Sequence, residues 1–146
     1  WYANPPSQIN WWLPLHEVNA ENSFAFDEEV FNIELPNDSG DFDYNEWRTC
    51  VGFQNATPPP NSVYPRTSYF EKEKASPVVC QEAQILLFSA CHLHKTCENE
   101  TELARFSIDI RSVNLADFKA GKGGPNGDNH SKGSTFPDYQ RAESIA

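Results

Sequence analysis

The chain has 146 residues, of which 38% are hydrophobic and 13% aromatic, and its formal net charge at pH 7 is −10. This is enough apolar material for one core, so we expect a single globular unit. No apolar run approaches the roughly 18–20 residues of a membrane span, and the negative charge would repel nucleic-acid phosphates. Composition therefore excludes a membrane span and a nucleic-acid partner.

Short apolar or alternating segments, separated by turn residues, predict a β-rich chain. In chain order, the predicted strands cover residues 10–15, 24–26, 31–35, 47–53, 63–70, 84–90, 92–96 and 106–115. Residues 84–90 are apolar on both faces, which predicts a central strand covered on both sides. The alternation in the last strand changes phase near Arg111 and Ser112, which predicts a bulge there. Residues 114–120 are the best helical candidate, with two turns at most.

These elements favour an all-β fold, an antiparallel β-sandwich of the immunoglobulin-like or a related type, with a compact barrel as the alternative. We expect residues 1–120 to form the β-rich globular domain. Residues 121–146 are rich in Gly, Asn, Ser and Lys and form a predicted extended polar tail. We expect such a tail to be ordered only by contacts with the body of the domain, a neighbouring subunit or a larger assembly. Burial of its few large side chains recovers too little free energy, so we expect a homo- or hetero-polymeric partner.

Four Asn-X-Ser/Thr sequons indicate a secretory chain, and they begin at Asn37, Asn55, Asn99 and Asn129. About one or two would arise by chance in a chain of this composition. We expect glycans above all on Asn55 and Asn99, which lie in polar, turn-like surroundings. The chain contains no methionine and begins at Trp1, which we interpret as the result of signal-peptide cleavage or precursor trimming. The predicted location is extracellular, either secreted or at the cell surface.

The cysteines are the second indication of that location. All four fall within one stretch of the chain: Cys50, Cys80, Cys91 and Cys97. An even number in an extracellular chain predicts two disulfide bonds, with three connectivities open. We favour Cys91 with Cys97 and Cys50 with Cys80, the longer loop contributing roughly 3–4 kcal/mol. The sequence therefore predicts a disulfide-stapled domain.

Two segments carry candidate metal ligands. The acidic turn after Leu35 supplies oxygen ligands for calcium, the one cofactor we consider, at Asp38, Asp41, Asp43 and Asn45. The positions that should hold Gly and Glu in an EF-hand hold Glu46 and Gly52, so that motif is excluded. In the second segment His92 and His94 would project from the same face of a strand, as two imidazoles do at a transition-metal site. The simpler interpretations are a solvated acidic turn and two surface histidines.

Aromatic side chains provide the remaining candidate binding residues, which are Trp11, Trp12, Trp47, Phe136 and Tyr139. Trp11 and Trp12 are adjacent in a predicted strand, so they should face opposite sides and one of them should reach a surface. Exposed rings of this kind stack on sugars or anchor protein interfaces.

The sequence contains none of the motifs Gly-x-Ser-x-Gly, His-Glu-x-x-His or a phosphate-binding glycine loop. We therefore predict a non-enzymatic secreted or cell-surface glycoprotein module for adhesion, recognition or assembly, with a protein partner or self-assembly. The alternative is a secreted carbohydrate-binding or carbohydrate-active domain that uses exposed Trp and Tyr and the acidic turn.

Overall fold

The structure is a computed structural model that describes residues 2–50, 52, 64–69 and 75–142. Within these ranges the regular elements are six strands and two helices. The strands are β1 (Gln8–Pro14), β2 (Phe24–Asp27), β3 (Ala75–Pro77), β4 (Leu86–Ser89), β5 (His94–Thr96) and β6 (Ser107–Val113). The helices are α1 (Tyr44–Cys50) and α2 (Leu115–Lys119), and 3-10 turns cover Ser39–Asp41 and Phe136–Asp138. The all-β prediction is confirmed at the level of mostly strands and few helices.

The strands form two antiparallel sheets of three strands each, ordered β4-β1-β6 and β3-β2-β5. The longest pairing joins β1 to β6, from Gln8 opposite Val113 to Pro14 opposite Ser107, with no break in register. The bulge predicted near Arg111 and Ser112 is therefore wrong. The whole of β6 keeps one alternation, which fixes the side of the sheet to which each of its side chains points.

Two buried clusters form the core. The first contains residues of both sheets and of the segments between them: Trp12, Val18, Phe24, Val78 and Cys80, with Phe26, Leu86 and Phe88 packed against it. The Trp12 ring of one sheet meets the Phe24 ring of the other edge to face, at 4.9 Å between centroids. The second cluster joins the N-terminal segment to α1 and contains Ala3, Phe42, Tyr44 and Trp47, with Tyr2 beside it.

Helix α1 covers residues 47–50 of the strand predicted at residues 47–53, and residues 51 and 53 lie outside the described residues. The start of α1 is set by Asp43, whose carboxylate accepts hydrogen bonds from the backbone N–H groups of Asn45 (2.9 Å) and Glu46 (3.1 Å). This is the usual stabilisation of a helix N-terminus by an acidic cap. Trp47 then points into the second cluster. Tertiary burial and the cap together overcome the β propensity of the aromatic residue.

Other predicted elements have mixed outcomes. The strands predicted at residues 10–15, 24–26 and 92–96, and the helix at 114–120, correspond to β1, β2, β5 and α2. Residues 31–35 form no strand, because Ile33 N–H bonds back to Val30 and Leu35 N–H bonds to the Asp128 carboxylate. Residues 64–69 are irregular, and the rest of that predicted strand lies outside the described residues. Residues 84–90 do contain β4, but within the described part of the chain β4 pairs with β1 alone and lies at the edge of its sheet, so the predicted central position is wrong.

The described part of the polar tail, residues 121–142, is held by the body of its own domain. Gly124 N–H bonds to Pro6 carbonyl, Thr135 N–H bonds to Ala3 carbonyl, and Lys132 exchanges backbone hydrogen bonds with Phe42 and Tyr44. The Phe136 ring stacks on Phe118 at 3.9 Å. Its order therefore needs no polymeric partner, and that argument for assembly loses its support.

The predicted disulfide staple is absent, since no disulfide bond joins the four cysteines in the structure. Cys50 ends α1, which packs into the second cluster, whereas Cys80 is buried in the first. Cys91 lies against Pro6 carbonyl, while Cys97 donates its N–H to Ser23 beyond the second sheet. The predicted pairings, Cys50 with Cys80 and Cys91 with Cys97, are thus not formed.

Among the described residues, no helix is both long enough and apolar enough to cross a membrane.

Candidate functional site

The alternation along β1, β4 and β6 gives the first sheet two very different faces. Residues directly opposite in an antiparallel pair point to the same side. Trp11 lies opposite Leu87 on one neighbour and Ile110 on the other, so these three side chains share a face. Asn10 lies opposite Phe88 and Arg111, which share the other.

The face that contains Trp11 is apolar and exposed, and we call it the apolar sheet face. Its side chains are those of Ile9, Trp11, Leu13, Leu87, Ser89, Ile108, Ile110 and Ser112, none of them charged. Leu87 is 50% and Ile110 56% accessible. Trp11 is 38% accessible and its indole N–H donates to Ser112 Oγ at 2.7 Å, which holds the ring flat across the strands. The adjacent Trp12 is buried, so the expected split of the two tryptophans is observed.

The opposite face borders two cavities that share Tyr2 and Arg111. The larger cavity, about 410 Å³, has a wall of aromatic side chains: Tyr2, Tyr44, Trp47, Tyr64 and Tyr139. The smaller, about 240 Å³, is lined by polar groups that include Asn10, His92 and Asp128. A concave site with aromatic walls and a few converging polar groups is the usual form of a small-molecule site.

Four parts of the chain build the aromatic wall: the N-terminal segment with Tyr2, α1 with Tyr44 and Trp47, the segment with Tyr64, and the tail with Tyr139. Tyr2 lies 4.7 Å from Tyr64 between ring centroids, and Tyr64 lies 5.6 Å from Trp47. Tyr44 donates its hydroxyl hydrogen bond to Asp138, which also pairs with Arg48 at 2.9 Å. The Asp138 carboxylate at the edge of this cavity is therefore already neutralised.

Three tyrosine hydroxyls of the wall, those of Tyr2, Tyr44 and Tyr139, have a raised pKa and remain protonated at neutral pH. Burial first, and then the hydrogen bond to Asp138, raises the pKa of Tyr44 to about 12. Burial and the neighbouring Tyr64 raise the pKa of Tyr2 well above its ordinary value, and burial also raises the pKa of Tyr139. Neutral hydroxyls can both donate and accept hydrogen bonds to a polar ligand.

A chain of hydrogen bonds fixes the polar side of the site. Tyr139 hydroxyl donates to the side-chain carbonyl of the buried Gln8, whose amide Nε2 donates to Asn10 Oδ1 at 2.6 Å. Asn10, whose Oδ1 accepts this bond, lines the smaller cavity together with Arg111. Gln8 thus orients a group that lies next to an arginine on the same face.

The predicted histidine pair lines the smaller cavity but is packed among aromatic rings. His92 stacks on Phe31 at 4.1 Å, and His94 lies 5.1 Å from Phe88. Although His94 keeps part of its surface accessible, burial against these rings lowers the pKa of its imidazole. Across the described ranges, no three His, Cys, Asp or Glu side chains are grouped so as to hold a metal ion.

The predicted calcium ligands have other contacts. Asp43 caps α1, and the Asp38 carboxylate accepts a hydrogen bond from the backbone N–H of Arg66. Asp41 ends a 3-10 turn and is exposed, while Asn45 lies on the first turn of α1. Within the acidic turn, the Asp43 carboxylate thus serves as a helix cap and the Asp38 carboxylate as a tie to residue 66.

The sequons differ sharply from one another. Asn37 Nδ2 donates to the carbonyls of Leu35 and Asp128, both at 2.8 Å. Asn99 is exposed and its Oδ1 accepts from Thr101 Oγ1 at 2.7 Å, while Asn129 is half-buried. Asn55 lies outside the described residues.

Sequence reasoning named Trp47 and Tyr139 but missed the polar centre of the site. Arg111 and Asn10 occupy ordinary positions in strands, and Gln8 carries no motif. The only signal available was that Asn10 and Arg111 interrupt apolar strands on the side opposite the isoleucines, and its meaning required the strand register. No family model, curated protein or solved structure matches this chain.

Proposed function

We propose that this chain is a non-enzymatic extracellular assembly module that pairs with a second copy of itself through the apolar sheet face. The observation that carries this proposal is the exposure of Ile9, Trp11, Leu87, Ile108 and Ile110 on one uncharged face. Contiguous exposed apolar patches of this size commonly mark an interaction site.

The area of the face is sufficient for a dimer. The accessible fractions of its five exposed apolar residues correspond to roughly 500 Å² per copy. Two copies would bury about 1,000 Å², which reaches the lower limit for specific interfaces. A second copy supplies a face with the same length, flatness and lack of charge, which is the requirement for a two-fold contact. A partner recognised by charge would find no complementary group there.

The extracellular location rests on the Asn99 sequon. Asn99 is exposed, and its side-chain carbonyl accepts hydrogen bonds from both the N–H and the hydroxyl of Thr101. The asparagine and hydroxyl of the acceptor motif are thus together on the surface, where a glycan must lie. The cysteines give no further support, because they form no disulfide bond in the structure. The two sheets, which share the Trp12 and Phe24 contact, complete the module as a small β-sandwich in this proposal.

The test is the molar mass in solution of the full chain and of three lysine variants, measured by sedimentation velocity up to ~100 µM. We expect a concentration-dependent dimer for the unmodified chain. Ile110→Lys and Leu87→Lys should give monomers, because each places a charge in the contact. Leu103→Lys is the matched control: Leu103 is 71% exposed and lies outside the face, so this variant should still dimerise.

All three variants reduce the net negative charge equally, so a change in overall repulsion cannot account for a difference among them. Near-UV circular dichroism of each variant checks that the core is intact. A chain that stays monomeric throughout the concentration range, or a dimer that survives both Ile110→Lys and Leu87→Lys, would contradict the proposal.

A further inference from the structure

Arg111 is an exposed cation on the face of the first sheet that borders the two cavities. Among the residues that the structure describes, no carboxylate lies within ion-pair distance of Arg111, whereas Arg48 and Asp138 form such a pair. Arg111 nevertheless borders both cavities. In a chain with a net charge of −10, an arginine left without an acidic partner at a concave site is available for a ligand anion.

The groups around Arg111 add hydrogen-bond donors. Asn10 lies directly across the strand pair on the same face, and its Nδ2 is left as a donor because its Oδ1 accepts from Gln8. Two carboxylates border these cavities. Asp138 is neutralised by Arg48 and Tyr44, and Asp128 Oδ2 accepts the backbone N–H of Leu35 at 3.0 Å. Arg111 and Asn10 therefore form a donor pair suited to one carboxylate group.

The wall opposite this pair is suited to a sugar ring. Tyr64 lies between Tyr2 and Trp47 and lines the larger cavity, and 42% of its surface remains accessible to a ligand. Aromatic faces stack on the apolar C–H side of a pyranose, and neutral tyrosine hydroxyls bond to its hydroxyl groups. The volume of about 410 Å³ lies within the range of small-molecule sites.

We propose that the two cavities together bind a saccharide unit that carries a carboxylate. Arg111, which borders both cavities, and Asn10 of the smaller one hold the carboxylate, and Tyr64 of the larger one stacks on the ring. The site is independent of the dimer, because Arg111 and the apolar sheet face lie on opposite sides of the same sheet. A neutral sugar would leave Arg111 without its partner, so the site selects for the acid.

The experiment compares glucuronic acid with glucose, which differ at the carboxylate alone, using the full chain. Ligand-observed saturation-transfer NMR and the fluorescence of the folded chain, to which Trp47 contributes, report binding. We expect the affinity for glucuronic acid to exceed that for glucose and to fall about tenfold or more in Arg111→Gln. Lys119→Gln removes one positive charge from a residue of α2 outside both cavities and should leave affinity unchanged.

Two further variants separate the roles. Arg111→Lys keeps the charge but loses the two-pronged geometry, so it should bind glucuronic acid with intermediate affinity. Tyr64→Leu should weaken both sugars alike. Equal binding of the two sugars, binding unaffected by Arg111→Gln, no binding of either, or binding of glucose 6-sulfate in place of glucuronic acid would overturn the proposal.

Discussion

Replacing Asn37 by Asp tests whether this sequon asparagine is a structural part of the fold. Its Nδ2 donates to the carbonyls of Leu35 and Asp128, both at 2.8 Å, while its Oδ1 accepts from Ser39 N–H at 2.9 Å. Asp keeps the acceptor but puts an oxygen where the donor was. Two carbonyls then lose their partner and face a negative oxygen instead.

The expected loss follows from these two contacts. A buried acceptor left without its partner costs about 1–3 kcal/mol, so Asn37→Asp should lower the free energy of unfolding by roughly 2–5 kcal/mol. The neighbouring Ser39 is fully buried and accepts from His130 N–H, so water cannot easily replace the lost bonds. The contact with Asp128 also ties the turn before α1 to the polar tail.

The assay is urea unfolding followed by tryptophan fluorescence, with Asn99→Asp as the matched control. Asn99 also donates its Nδ2 to a carbonyl, that of Leu103 at 2.8 Å, but it is exposed, and water can replace the bond. The control should therefore lose less than about 1 kcal/mol. If the two variants unfold at the same urea concentration, Asn37 is not the structural contact described above.

The same geometry predicts which sequons carry glycans. A glycan is attached to Nδ2. Both N–H groups of Asn37 Nδ2 donate to carbonyls, whereas Asn99 Nδ2 is exposed and donates to the Leu103 carbonyl with one N–H group, which leaves the other for the glycan. In chain expressed through a eukaryotic secretory pathway, we expect Asn99 to be occupied and Asn37 to be unmodified. Enzymatic deglycosylation in heavy water (H₂¹⁸O), followed by peptide mapping, marks each occupied position. A glycan at Asn37 in the folded protein would contradict this prediction.

Two further predictions concern the tail and the pH dependence. Gly123→Ala should destabilise the chain, because a Cβ at this position would lie 2.2 Å from the Pro6 backbone. Gly40→Ala is the control and should be nearly neutral, since the nearest atom to its Cβ would be 3.9 Å away. Thermal unfolding measures both variants, and equal midpoints would argue against the contact between the tail and residue 6. The pKa of Tyr44 is raised from 10.0 to about 12, so the contribution of its protonated hydroxyl to stability is complete below pH 10 and is lost as the pH rises through 12. When tyrosine ionisation is followed by ultraviolet absorbance, part of the change should occur only near pH 12 in the folded chain. Urea should abolish this part and Tyr44→Phe should reduce it. Identical titration curves for the folded and unfolded chains would refute the prediction.

The residue pattern predicted elements whose cause is local. Short apolar and alternating segments indicated β1, β2 and β6, and residues 114–120 were the best helical candidate. In the structure Asn114 caps α2 by accepting from the N–H groups of Ala116 and Asp117. The same reasoning failed at residues 31–35 and at residues 47–50 of the strand predicted over 47–53. The first is fixed by a carboxylate in the polar tail, and the second by burial of Trp47 in a cluster with Ala3.

The candidate site was predicted only in its aromatic members. Trp47 and Tyr139 were named as binding residues. The metal-site predictions instead pointed to residues such as Asp43, which caps α1, and His92, which stacks on Phe31. Arg111 could not be found from its own neighbourhood. Its importance comes from the absence of an ion pair among the described residues and from its position opposite Asn10.

The sequence alone determined the β-rich class, the separation of Trp11 from Trp12, and the presence of an exposed Asn99 sequon, because each depends on the two-residue repeat of a strand or on turn chemistry. The tertiary structure alone decided that the isoleucines of β6 lie on the apolar sheet face and that Arg111 lies on the face that borders the two cavities. Alternation divides a strand into two faces but does not say which one is covered. That choice belongs to the rest of the chain, which packs Trp12 against the second sheet and folds the polar tail back onto residues 3–8.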